Sequence, residues 1–138
     1  MKARYSLIFS LLVLVAANSC KTDKQKELPH LEQLENIKNG SKVFVIPGSG
    51  CAGCISEIEL LAIKNQNSDS LFFIFTRLHS LKLFSNRFGK PFCESDNVIV
   101  DTNNIIQSES MELEIYPAVY TKIDGRILFE KHIKPGTK

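Results

Sequence analysis

The chain predicts an α/β domain built on a mixed sheet flanked by helices. Three observations carry this. Short apolar runs alternate with helical periodicities from residue 42 to residue 101, the sign of parallel strands joined by helical crossovers. An Asp124-Gly125 pair then separates two further apolar runs, the sign of an antiparallel hairpin. Finally, 138 residues with 43% hydrophobic and 23% charged content suffice for one globular core and a tail.

Lys42-Val-Phe-Val-Ile46 reads as the first strand. Pro47-Gly-Ser-Gly50 is a turn, and Cys51 to about residue 66 is a helix with an amphipathic stretch at Ile55–Ile63. Asn67-Ser-Asp-Ser70 is a turn before Leu71-Phe-Phe-Ile-Phe-Thr76, a continuous apolar run expected of a strand buried on both faces. A second helix is expected from Ser80 to Phe88, with Leu81, Phe84 and Phe88 on one stripe and Gly89-Lys-Pro91 closing it. Asn97-Val-Ile-Val-Asp101 is the third strand, and a short helix is expected near Glu109–Leu113. Pro117–Ile123 and Arg126–Glu130 form the hairpin. Upstream, Leu31, Leu34 and Ile37 recur at helical spacing and predict a helix over Leu31–Lys38, stopped by Asn39-Gly40. The order is therefore β-α-β-α-β followed by ββ.

The N-terminus reads as a targeting segment. Lys2 and Arg4 precede an apolar core, Leu7–Ala17, of 11 residues interrupted only by Ser10, short for a membrane span. Ala17-Asn-Ser-Cys20 resembles the lipobox of bacterial lipoproteins, which implies lipidation of Cys20. The expected division is a signal peptide over 1–19, an anchor site and charged tether over 20–30, and the folded domain over 31–138. The destination is then the periplasm or cell envelope, with the membrane reached through the lipid. Once Lys2 and Arg4 are set aside, 15 basic residues balance 15 acidic ones. No basic footprint for nucleic acid follows from that balance.

Four cysteines are present, and Cys51-Ala-Gly-Cys54 carries the most chemistry. A strand and a tight turn lead into it, so both sulfurs fall in the first turn of a helix. Unpaired N–H groups and the helix dipole there stabilise a thiolate. A thiol three residues further on closes a small ring. Outside the cytoplasm such a pair can be held oxidised. With Cys20 set aside for lipid, Cys93 is left over, most simply as a small core hydrophobe.

The CxxC after the first strand, the strand over 71–76, and Tyr116-Pro117-Ala-Val-Tyr120 leading to Asp124-Gly125 together resemble the thioredoxin superfamily. The match is to its extracytoplasmic, membrane-tethered thiol–disulfide oxidoreductases and covers about residues 42–132. The resemblance implies a thioredoxin-like sheet, with Cys51 as nucleophile and Cys54 as resolving thiol. It implies that Pro117 follows a cis peptide bond beside the disulfide, and that Tyr116 guides an extended substrate chain. It also implies exported protein thiols and a membrane electron donor as partners, with no cofactor and no metal. Gly50 stands where Trp is frequent in that family, Ala52-Gly53 replaces the frequent Gly-Pro or Pro-His, and the first strand has no acidic residue. Glu57 is the nearest carboxylate, and the usual C-terminal helix is missing. Either the N-terminal helix compensates or one sheet face is open.

Three other functions fit the same cysteines. One is a static disulfide in a binding lipoprotein. A second is a Cu(I) metallochaperone, since Gly48-x-x-Cys51-x-x-Cys54 resembles the metal loop of heavy-metal-associated domains. The third is a peroxidase, since Pro47, Cys51 and Cys54 keep peroxiredoxin spacing with Cys in the hydroxyl position and Cys93 as a possible distant thiol. His30, His79 and His132 show no metal-like spacing.

Overall fold

A computed structural model describes residues 26–106 and 115–136. The expected signal segment, Cys20 and the helix expected near Glu109–Leu113 lie outside the described residues. Among the described residues five strands and three helices form, in the predicted order except that a short helix, α3, stands where Gly89-Lys-Pro91 was expected only to close α2: β1 (Lys42–Pro47), α1 (Ala52–Lys64), β2 (Leu71–Thr76), α2 (Leu81–Phe88), α3 (Lys90–Cys93), β3 (Val98–Asp101), β4 (Ala118–Ile123) and β5 (Arg126–His132). The sheet order is β3-β2-β1-β4-β5. β1, β2 and β3 are parallel, while β4 runs antiparallel to β1 and β5 antiparallel to β4. This is a mixed α/β fold of thioredoxin-like kind.

Topology decides which face the helices cover. β1, β2 and β3 step outward in one direction, and parallel crossovers keep one hand, so both connections fall on the same face. That face presents Ile46, Phe73, Phe75 and Val98, and it packs Ile58 and Ala62 of α1, Phe84 of α2 and Phe92 of α3. Phe75, Phe84, Phe88 and Phe92 form an aromatic cluster with centroids 4.7–6.5 Å apart. The stripe expected on α2 is altered here. Leu81 is exposed, and Phe92, brought in by the turn at Gly89, stacks on Phe88 at 4.9 Å.

The opposite face, with Val43, Val45, Phe72, Ile74, Ile99 and Tyr120, receives no long helix among the described residues. Leu28, Leu31, Leu34, Ile37 and Ile106 cover it instead. The N-terminal segment therefore occupies this face, but the predicted eight-residue helix is a correction: only a 3-10 turn, Glu32–Leu34, forms. Leu31 offers no side-chain cap, and the buried Lys122 ammonium donates to the Leu34 and Glu35 carbonyls. Those are the acceptors that a continuing helix would need. Burial of Leu31, Leu34 and Ile37 survives, because their spacing serves packing more than helix formation.

Lys26–Leu28, part of the segment read as tether, are docked. Glu27 bridges antiparallel to Leu128, with Leu28 N–H donating to the Ile127 carbonyl (2.8 Å) and Phe129 N–H to the Lys26 carbonyl (2.7 Å). The hairpin turn places Asp124 and Gly125 at φ 49° and 80°, the paired left-handed conformations of a type I′ turn.

Asn97 fastens the α1–β2 loop to β3. Fully buried, it accepts from Asn67 N–H and donates to the Asn65 and Leu71 carbonyls, each at 2.8 Å. Asn97→Ala would strand these groups in the interior. A loss of about 2–4 kcal/mol is expected from urea unfolding, since each unsatisfied buried group costs roughly 1–3 kcal/mol. A loss below about 1 kcal/mol would mean that water replaces the amide.

Across the β1, β4 and β5 surface, Glu130 accepts from the Lys42 ammonium and from Thr121 Oγ1 (2.7 Å). The Lys42 hydrogen bond, then that of Thr121, holds its carboxyl below the usual glutamate range. A lowered folded pKa gives stability that is present above the unfolded value and lost as pH falls through the folded one. The Glu130→Gln penalty is therefore expected at neutral pH, shrinking under acid and under high salt, as read from unfolding midpoints.

Candidate functional site

The site sits where β1 ends and α1 begins, at the carboxyl ends of the parallel strands, where α/β sheets gather ligands. Two glycines shape the turn. A Cβ on Gly48 would lie 3.0 Å from the Arg77 carbonyl carbon, and Gly48 N–H donates to the Thr76 carbonyl at 2.9 Å. Gly50 has φ 142°, and a Cβ there would come within 2.8 Å of the Ile115 carbonyl carbon. The chain can pass this close to Ile115 only without a side chain.

Cys51 follows as the N-cap of α1. Its N–H donates to the Ile115 carbonyl (2.8 Å), its carbonyl accepts from Ile55 N–H (2.9 Å), and its Sγ accepts from Cys54 N–H (3.4 Å). Cys54, at the third helical position, is bonded to Cys51 as a disulfide with Cα atoms 5.4 Å apart. The two sulfurs are unequal: Cys51 is half-buried and Cys54 is only 5% exposed. An incoming thiol therefore meets Cys51 first. A groove of about 300 Å³ lies alongside, lined by Cys51, Gly53, Cys54, Glu57, Lys134, Pro135 and Gly136.

Tyr116 and Pro117 reach this region by backbone rather than through the groove. Pro117 is buried, its carbonyl accepts from Ile133 N–H (2.8 Å), and the Lys134 ammonium lies 5.7 Å from the Tyr116 ring centroid. The peptide bond before Pro117 is trans, in place of the cis bond that the family resemblance implies. The backbone group that Cys51 N–H meets is the Ile115 carbonyl.

Sequence reasoning missed the Lys134–Gly136 wall of the groove. No motif marks it; it arrives because β5 carries the chain back to the disulfide end of the sheet. Glu59 was missed as well. It is a buried carboxylate held bidentately by Arg87 of α2 at 3.1 and 2.5 Å. Its place beside Ile58 and Ala62 on the inner arc of α1 was the available signal. At the ends of β2 and β3, buried Asp101 accepts from Thr76 Oγ1 (2.9 Å), Ile105 N–H (2.9 Å) and Ile106 N–H (3.0 Å), which closes the loop after β3. Cys93, a free thiol at the end of α3, packs into the aromatic side of the core, away from the groove. Among the described residues no cluster of His, Cys, Asp and Glu is arranged to hold a metal.

Compared with family models, curated proteins and solved structures, the chain matches none. What fold and site define together is a mixed α/β domain with a CxxC disulfide at a helix N-terminus, compatible with a thioredoxin-like protein.

Proposed function

We propose that this protein is an exported, lipid-anchored thiol–disulfide oxidoreductase. The observation that carries the reading is the asymmetry of the disulfide: Cys51 is accessible at the N-cap of α1 and Cys54 is buried beneath it. In the reduced protein, the N-terminal N–H groups of α1 stabilise the Cys51 thiolate. That thiolate attacks a substrate disulfide and releases one substrate thiolate. Cys54 then displaces the substrate from the mixed disulfide, leaving Cys51–Cys54 oxidised and the substrate with two thiols. The reverse sequence oxidises a substrate dithiol. The groove beside Cys51, walled by Lys134–Gly136, holds the substrate chain, with Tyr116 at its margin under Lys134 and Pro117 fixing the backbone behind it. Lipidation of Cys20 keeps the domain at the cell-envelope membrane, where exported protein thiols and a membrane electron donor are its partners.

The test is the reduction potential of Cys51–Cys54, from equilibration in glutathione and dithiothreitol buffers followed by thiol alkylation. A reversible two-electron transition between about −120 and −270 mV is expected, the range of thioredoxin-like catalysts. A pair that stays oxidised below about −300 mV would be a structural disulfide, and the enzymatic reading would fall.

A further inference from the structure

The groove beside the disulfide carries one charge of each sign, and the fold sets them on opposite walls. Glu57 comes three residues after Cys54 on α1, so it shares a helical face with that sulfur and extends the α1 wall by one turn. Lys134 reaches the other wall from β5. Ile133 N–H donates to the Pro117 carbonyl at 2.8 Å, which ties the chain leaving β5 to the backbone just before β4. The Lys134 ammonium lies 5.7 Å from the Tyr116 ring centroid, and Lys134 is half-buried while Glu57 is exposed. Between the charges the walls are low. A Cβ built on Gly53 or on Gly136 would meet nothing within 4 Å, so an extended main chain has room there beside Cys51.

The whole chain has a formal charge of only +2 over 138 residues, so its overall field selects little. Discrimination by charge at this groove is local, set by the side chains that a bound segment brings against the two walls. We propose that the groove selects cysteine-containing protein segments of mixed charge, with an acidic side chain on one flank of the reactive cysteine, against Lys134, and a basic one on the other, against Glu57. This names the substrate class of the redox reading above and rests on it.

The probe is a set of four peptides of equal length, each holding one cysteine as its mixed disulfide with thionitrobenzoate. Two carry glutamate and lysine on the flanks, in either order; one carries glutamate on both and one lysine on both. The reduced full chain, with Cys20→Ser and Cys93→Ser, is mixed with each in neutral detergent. The Cys51 thiolate bonds to the peptide sulfur, and thionitrobenzoate leaves with the electron pair of the broken S–S bond, so its absorbance gives the rate. The Cys54 thiolate then displaces the peptide thiolate. Each rate is divided by that of dithiothreitol with the same peptide, which removes the peptide's own reactivity.

The faster mixed-charge peptide is expected to exceed both uniform ones about fivefold at low ionic strength, with the advantage shrinking toward one in about 0.5 M salt. Glu57→Lys makes both walls basic and should turn the preference to the uniformly acidic peptide. Lys134→Glu makes both acidic and should turn it to the uniformly basic one. Glu57 is an exposed helix residue, so its variant keeps the test decisive where Lys134→Glu fails to fold. Equal rates across the four peptides, a uniform peptide fastest with the unsubstituted groove, or an unchanged ranking in Glu57→Lys overturns the charge selection and leaves the redox reading standing. Release that matches the Cys51→Ser protein for every peptide overturns both.

Discussion

Cys51→Ser is expected to abolish the proposed disulfide exchange, and Cys54→Ser to leave its first chemical step intact and halt the second. The difference follows from geometry. Cys51 is half-buried at the N-cap, open to the groove, and its Sγ already accepts from Cys54 N–H at 3.4 Å. A serine there keeps the shape but has no thiolate to attack with. With Cys54→Ser the attacking sulfur remains, and the mixed disulfide persists because no thiol lies behind it. Substrate-linked adducts should then accumulate, visible as reductant-sensitive species on a denaturing gel. Insulin or glutathione-disulfide reduction should fall to background in both variants. Adducts that accumulate equally in the two single variants, or turnover above background in Cys51→Ser, would contradict the division of roles.

Gly50→Ala is expected to cost about 3 kcal/mol, the largest loss from a single added methyl group in this domain. At φ 142° a side chain is strained whatever space surrounds it, which costs roughly 1–3 kcal/mol. The methyl group would also displace the Ile115 backbone and break the bond from Cys51 N–H to the Ile115 carbonyl, now 2.8 Å. A hydrogen bond lost this way adds about 0.5–1.5 kcal/mol. Gly53→Ala is the matched control. It lies in the first turn of α1 with nothing near its absent Cβ, so alanine should be neutral or stabilising by up to about 1 kcal/mol. Denaturant unfolding of the two variants measures both effects. Similar losses would show that the turn relaxes and that glycine at position 50 serves no close approach.

Where one element dominated, its periodicity was legible. The apolar run Val43–Ile46 between Lys42 and a Pro-Gly turn identifies β1 because a strand covered on both faces buries every residue. Asp124-Gly125 announces its turn because few residue pairs tolerate two positive φ values in succession. Cys51 and Cys54 were readable for the same local reason: their spacing and the preceding turn put them in one helical turn. The segment over 31–38 misled because its three apolar residues satisfy a helix and an irregular covering strap equally well. Lys122, 88 residues from Leu34, decides between them by taking the carbonyls.

By itself, then, the sequence determined the order of elements, the CxxC at the head of α1 and the hairpin, all set by contacts within about a dozen residues. Tertiary structure alone decided that the helices share one face and that Lys26–Ile37 covers the other. It also brought Ile115 and Lys134–Gly136 to the disulfide. Those arrangements depend on strand order and on pairings between distant segments, such as Cys51 with Ile115 and Lys26 with Phe129, and no local pattern encodes them.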